Sequence, residues 1–429
     1  MDTFLGLDFG TTNSALAISD AAGHTTLTRY QARGDWYDTF RSVLFFDPEQ
    51  KGENRKALCT GGIEGILAYL DADGAGRFLQ SIKSHLASRS FHSTNILGSV
   101  YTLEDLVVLI VSQLRAKAVA TRGTLPTRVV AGRPVHFVND DVGADGDAWA
   151  EQRLVKALTA AGFDEVVLEL EPVAAAYRYE QRLDHDELVL IADFGGGTTD
   201  FCLVRVGPGV TSRGKERVLG TDGVARAGDA FDQRIIQHAV APRLGHGSRY
   251  RVIGGDADVP LWLFSHLARW HHLSFLKSRK TLALLDTILT TAHQPEAIEV
   301  LKRLIEEDQG YHLHRAVERV KIDLSAQSET TLQFHEPRLN CVITRDEFDA
   351  WIAPDMEEME RAVDRLLTSS GVDARAVDRV FMTGGTSLVP AVRGLFARRF
   401  GHKRLMGGEE LTSVAQGLAL RARDVFSPA

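Results

Sequence analysis

Residues Phe4–Ile18 read FLGLDFGTTNSALAI, and residues Leu188–Val204 read LVLIADFGGGTTDFCLV. Each is an apolar run, then Asp-Phe-Gly, then small hydroxylated residues, then a second apolar run. Apolar runs broken by Gly, Thr and Asn predict strand–turn–strand. The first copy divides into a strand over Phe4–Phe9, a tight turn over Gly10–Ser14 and a strand over Ala15–Ser19. One supersecondary unit is therefore written twice, and the repeat predicts two α/β halves.

The totals agree with that division. A chain of 429 residues is too long for one core, so two or three domains are expected. Apolar residues at 44% and charged residues at 25% are ordinary for a soluble protein. A formal charge of −8 argues against sequence-independent binding of nucleic acid, which needs a basic face. Cys59, Cys202 and Cys341 are widely spaced, so no disulfide framework or zinc site is expected, and a reducing cytoplasm fits. The start, Met1-Asp2-Thr3-Phe4, has no basic segment and does not read as a signal peptide. The longest apolar stretch, around Leu106–Val111, falls far short of the roughly 20 residues that span a bilayer. The expectation is a cytoplasmic protein with no membrane contact.

Other elements follow from pattern. Thr102 with Asp105 forms a capping box opening a helix that closes near Arg122-Gly123. From Thr127 the rhythm is strand (RVVAGRPV), helix (WAEQRLVKALTAAG, stopped by Gly162), strand (EVVLEL) and helix (PVAAAYRYEQRL, with Pro172 at its first position). Lobe I thus covers 1–186, with a turn-rich insertion at about 34–103. Lobe II covers 187–407, with an enlarged, mostly helical insertion at about 228–335. That insertion holds an aromatic block over Leu261–Phe275, a Leu-rich block over Thr281–Leu289 and one long helical pattern from Ala297 to Ser325. The helix MEEMERAVDRLLTSSG, the strand–glycine turn–helix RVFMTGGTSLVPAVRGLFARRFG, and a C-terminal helix within 408–429 that returns to lobe I close the chain.

The paired turns carry the chemistry. Glycines let backbone N–H groups approach a ligand closely, and successive N–H groups make a concave anion site to which Thr hydroxyls add donors. An Asp at each strand end suits the waters of a Mg²⁺ ion, which keeps several waters and takes few carboxylates. Facing one another, the turns would clamp a polyphosphate from both sides. Two other stretches carry less. Gly209–Glu216, GVTSRGKE, nearly spells a Walker A loop, but Glu216 stands where Ser or Thr is needed, so a basic surface turn is expected. His271-His272 are adjacent and point apart on a helix, which suits packing or surface roles rather than a shared metal. Trp262, Phe264, Trp270 and Phe275 are expected to form the insertion's core.

LGLDFGTTNS and IADFGGGTTD resemble the two phosphate segments of the actin-like ATPase superfamily, and within it the DnaK-type heat-shock chaperones. FLQSIKSHL, LELEPVAAAYRYE and VFMTGGTSLVP agree in the family's order, and ERVKIDLS matches its adenosine-binding helix more loosely. The outline also resembles the truncated YegD-type chaperone-like proteins. The resemblance implies an α/β, actin-like ATPase fold of two duplicated, ribonuclease H-like lobes with a nucleotide cleft between them, binding ATP or ADP with Mg²⁺. It implies that Asp8 and Asp193 orient waters around the metal, and that Gly10, Thr11, Thr12, Asn13, Gly195, Gly196, Gly197 and Thr198 hold phosphates. Lys83 would neutralise charge on the transferred phosphoryl group, and Glu171 with Asp193 would position the attacking water. Glu171, pinned before Pro172, is expected to be extended. Adenosine would lie between Gly384-Gly385-Thr386 and the helix carrying Glu318, Lys321 and Ser325, with Asp229 toward the ribose. That helix reads equally as a solvated charged face.

This sequence departs from the family at the base end. Ile322 and Leu388 stand where the family has arginines, replacing cation–π stacking by apolar contact. Thr199 stands where an aromatic residue is usual. The chain given ends at Ala429 with no apolar linker or peptide-binding β-sandwich after it, so the expectation is an ATPase without a peptide-binding domain. Three functions follow: a slow DnaK-like ATPase coupled to a protein partner or co-chaperone, a sugar or small-metabolite kinase, or a nucleotide-sensing module with little hydrolysis.

Overall fold

The N-terminal strand, Thr3–Phe9, is a continuous apolar run because both of its faces are covered. Leu5, Leu7 and Phe9 enter one core and Phe4 another. The strand pairs antiparallel with Asn13–Asp20 and parallel with Arg128–Arg133. The sheet runs Glu165–Leu170, Arg128–Arg133, Thr3–Phe9, Asn13–Asp20, Thr25–Leu27, and the short strand Phe40–Arg41 joins it beside Asn13. A second sheet runs Leu405–Gly407, Arg379–Thr383, Glu187–Phe194, Thr199–Val206, Val218–Val224. Both sheets share one connectivity, an antiparallel three-strand meander followed by two parallel strands. The duplication read from the two Asp-Phe-Gly segments is thus a duplication of whole sheets, and the mixed α/β architecture is the actin-like ATPase fold that the resemblance implied.

The computed structural model describes residues 2–52, 56–72, 75–138, 146–210, 217–269, 272–335, 338–407 and 412–427. They form two compact units, one of Met1–Ala227, Glu358–Leu388 and Val392–Ala429, the other of Gly228–Glu357 and Val389–Ala391.

Both sheets belong to the first unit. Helix Leu103–Arg122 opens on the expected capping box, Thr102 Oγ1 accepting from Asp105 N while Asp105 accepts from Thr102 N. Its buried Leu106, Val107, Ile110 and Leu114 cover one face of the first sheet. The other face packs on helices Glu171–Glu180 and Ser413–Phe426, whose small residues let backbones touch. A methyl group at Gly417 would stand 1.7 Å from Ala174 O, and one at Gly6 would stand 2.3 Å from Ala419 N. The same two helices bring Val173, Ala176, Leu418 and Phe426 into one core with Val189, Ile191 and Cys202 of the second sheet. That shared core ties the two repeats together.

The second unit is mostly helical. Helix Gly310–Ala326 buries Leu313, Val317, Val320 and Leu324 at helical spacing. The single long pattern expected here is two helices, Pro295–Glu306 and Gly310–Ala326, because Asp308 turns left-handed (φ 55°) and breaks the first. Trp262 is not core: helix Leu261–Ala268 buries Leu263, Phe264, Leu267 and Ala268, and Trp262 falls outside that stripe at 39% exposure. Trp270, His271 and the side chain of Phe275 lie outside the described residues, as does 211–216 of the Walker-like stretch. The helix expected from Met356 begins earlier, at Arg345, and carries Pro354 within it. Asp355, fully buried, receives both ends of the Arg234 fork at 2.7 and 3.2 Å.

Candidate functional site

Strand pairing sets the two turns in equivalent places. Phe9 pairs with Ser14 across Gly10–Asn13, and Phe194 pairs with Thr199 across Gly195–Thr198. Each loop therefore has four residues, and each Asp sits one position before the closing pair. Gly10 must be glycine, since a Cβ there would stand 2.1 Å from Asn13 O. Gly195 N donates to Thr198 O at 2.9 Å, closing the second turn. The turns face one another: a methyl group at Gly197 would lie 3.6 Å from Thr11 Oγ1 and 3.8 Å from Ser84 Oγ.

Lys83 enters from a 3₁₀ turn, Ile82–His85, launched by Ser81 in the left-handed region (φ 54°). Such a backbone is costly for a non-glycine residue and persists only where the surroundings impose it. Lys83 Nζ donates to Glu171 Oε1 at 2.5 Å, and both groups are buried. Glu171 is the first residue of its helix, and the extended residue is Leu170, one position earlier than expected. Pro172 disfavours the helical region before it, but the first turn tolerates the ring because its N–H groups lack helical partners.

Burial and mutual repulsion raise the pKa values of the acids around this pair. Burial, then the Glu171 charge, raises Asp8 to about 7 against the pull of Lys83. Burial and Glu171 raise Asp200 to about 7 as well, while Thr198, Val135 N and Lys83 pull it down. Asp193 lies well above the usual carboxylate range, through burial, Glu171, Asp200 and Asp8. Burial works against the Lys83 charge, but Glu171 and Asp8 outweigh it and raise its pKa. Four carboxylates thus share one ammonium, a donor set suited to a hard cation and its water shell. Among the described residues no three His, Cys, Asp or Glu groups are arranged to hold an ion directly.

Asp200 is a member the sequence reading did not single out. It is buried, opposite Asp193 in the hairpin, and accepts from Val135 N at 2.6 Å and Thr198 Oγ1 at 2.8 Å. The signal was present, since two acids flanking a six-residue hairpin end in DFGGGTTD must pair. Its counterpart in the first copy is Ala15, so comparing the copies hid it. Gly384 joins the group from the third glycine turn. Its φ of +84° and a would-be Cβ 2.0 Å from Phe194 O admit only glycine. Gly385 and the buried Thr386 follow it.

The residues expected at the ribose and base divide. Asp229, Glu318 and Lys321 lie together in the second unit, where Lys321 Nζ donates to Asp232 Oδ2 at 2.8 Å and Gly228 O at 3.1 Å. Ser325 Oγ donates to its own helix at Lys321 O. Ile322 is 61% exposed, and Leu388, in the first unit, is 48% exposed.

The duplicated α/β sheets thus bring the paired glycine turns beside a buried lysine and four carboxylates. The sequence model of the Hsp70 protein family matches residues 77–244 and 282–429. The chain belongs to the Hsp70 family, and is a chaperone-type, ATP-binding protein. No helix among the described residues is long and apolar enough to cross a membrane.

Proposed function

We propose that this protein binds Mg-ATP and hydrolyses it slowly, with nucleotide-dependent lobe closure coupled to a protein partner or co-chaperone. The observation that carries this reading is the Lys83–Glu171 pair standing among Asp8, Asp193 and Asp200 beside two facing turns. Backbone N–H groups of Gly10–Asn13 and Gly195–Thr198, with the hydroxyls of Thr11, Thr12 and Thr198, hold phosphate oxygens. Asp8 and Asp193 would hold the water shell of a Mg²⁺ ion, which would supply neutralisation of the phosphate charge. Glu171 and Asp193 orient a water toward the γ-phosphorus. The water's oxygen forms the new P–O bond as the bond to the bridging oxygen breaks and ADP leaves, its proton passes to an oxygen of the released phosphate, and Lys83 offsets the charge that develops. This is catalysis by positioning and electrostatics. Adenosine contacts are assigned to Gly384, Gly385 and Thr386 of the first unit.

A nucleotide-sensing module with little hydrolysis is the second reading, favoured by the exposed Ile322 and Leu388. Calorimetry with ATP and ADP, each with and without Mg²⁺, followed by a turnover assay, separates them. Metal-dependent binding with slow release of phosphate supports the ATPase. Binding without turnover supports the sensor, and no binding overturns both. Robust phosphorylation of a sugar or polyol in the same assay would move the protein to the kinases.

A further inference from the structure

The short strand Phe40–Arg41 lies antiparallel to the start of Asn13–Asp20, with Phe40 opposite Ser14 and Arg41 opposite Asn13. Directly opposed residues share a face, and faces alternate along a strand. Phe40 and Ser14 are buried on one side at 1% exposure each. Asn13 and Arg41 therefore point to the other side, as does Ala15, and so does Asp8, which pairs with Ala15. Arg41 thus shares a sheet face with Asp8 and stands beside the last residue of the first turn. Its Nη1 donates to Asn13 Oδ1 at 3.3 Å.

The strand bearing Arg41 is fastened to the turn itself. Ser42 N donates to Thr12 O at 2.9 Å, and the buried hydroxyls of Ser14 and Ser42 meet at 2.8 Å. These two bonds fix the position of Arg41 relative to the turn. Charge gives the arrangement a purpose. Lys83 already bonds Glu171 within a group that also holds Asp8, Asp193 and Asp200, so an incoming polyphosphate meets more acid than base. A guanidinium is always charged and its planar fork matches phosphate oxygens.

We infer that Arg41 is a second cation of the phosphate site, bonding an anionic oxygen of the polyphosphate held over Gly10–Asn13. The inference rests on the reading that the paired turns bind a nucleoside triphosphate. The test is calorimetric titration of Mg-ATP into the wild-type chain, Arg41→Ala and Arg41→Lys, with thermal melting of each. Arg41→Ala should bind about 10- to 100-fold more weakly with its Tm kept within about 2 °C, and Arg41→Lys should recover part of the loss. Wild-type binding matched by Arg41→Ala would overturn this inference alone, as would an Arg41→Lys variant no better than Arg41→Ala. No binding by the wild-type chain would overturn the nucleotide reading and this inference with it.

Discussion

At Lys83 two effects oppose one another. Burial disfavours the ammonium, while Glu171 and Asp8 favour it, and the acids prevail. The result is a permanent positive charge fixed by a strained backbone at Ser81 and tethered from behind. Arg153 does the tethering, with all five of its N–H donors used: two on Glu104 and the others on the carbonyls of Leu86, Ser88 and Phe91. Removing a preorganised charge that acts on the transition state costs about 100-fold or more in rate. Lys83→Ala and Asp193→Asn are therefore each expected to lose phosphate release by at least that factor while keeping a folded circular dichroism spectrum. Unchanged turnover in both purified variants would refute the assignment.

Among elements, the crossing of helices Glu171–Glu180 and Ser413–Phe426 has the least slack. Gly417 lies so close to Ala174 that any side chain would displace backbone rather than another side chain. Overpacking of ordinary cores costs about 1–3 kcal/mol, and a clash with main chain belongs at or above that range. Gly417→Leu is expected to be destabilised by about 3 kcal/mol or more, read as a lower urea midpoint at unchanged m-value. A midpoint equal to wild type would show that the two helices can part without loss. Because the helix that is displaced begins with Glu171, turnover should fall in the same variant under native conditions.

At the scale of the whole molecule, three histidines give the second unit a source of acid sensitivity. Burial lowers His238, His312 and His314, the last to about 4 from an ordinary 6.5, against a hydrogen bond to Leu267 O. A histidine depressed in the folded state contributes stability above its unfolded pKa and loses it as pH falls toward its folded value. Stability from His314 is thus complete above about 6.5 and declines toward 4, by at most about 3 kcal/mol and by less where water reaches the ring. His314→Gln keeps a donor for Leu267 O without the titration. Between pH 7 and pH 5 the wild-type Tm should fall further than the variant's. Parallel curves would place the acid sensitivity elsewhere.

Much of this was legible because it is local. The doubled DFG segments, the Thr102 capping box and the Gly162 stop all state their structure within a few residues, where backbone preference and spacing decide. The aromatic block misled for Trp262 because hydrophobicity does not say which helix face meets a core. The break at Asp308 was invisible because a left-handed aspartate carries no strong sequence mark. Sequence by itself determined that two strand–turn–strand units exist and that each ends an apolar strand with an acid before a glycine turn. Only the tertiary structure decided that Lys83 meets Glu171 across 88 residues, that Asp200 joins the acids, and that Arg41 stands beside Asn13. Those contacts are products of sheet register and helix packing, which bring distant residues together for reasons that no short stretch of chain records.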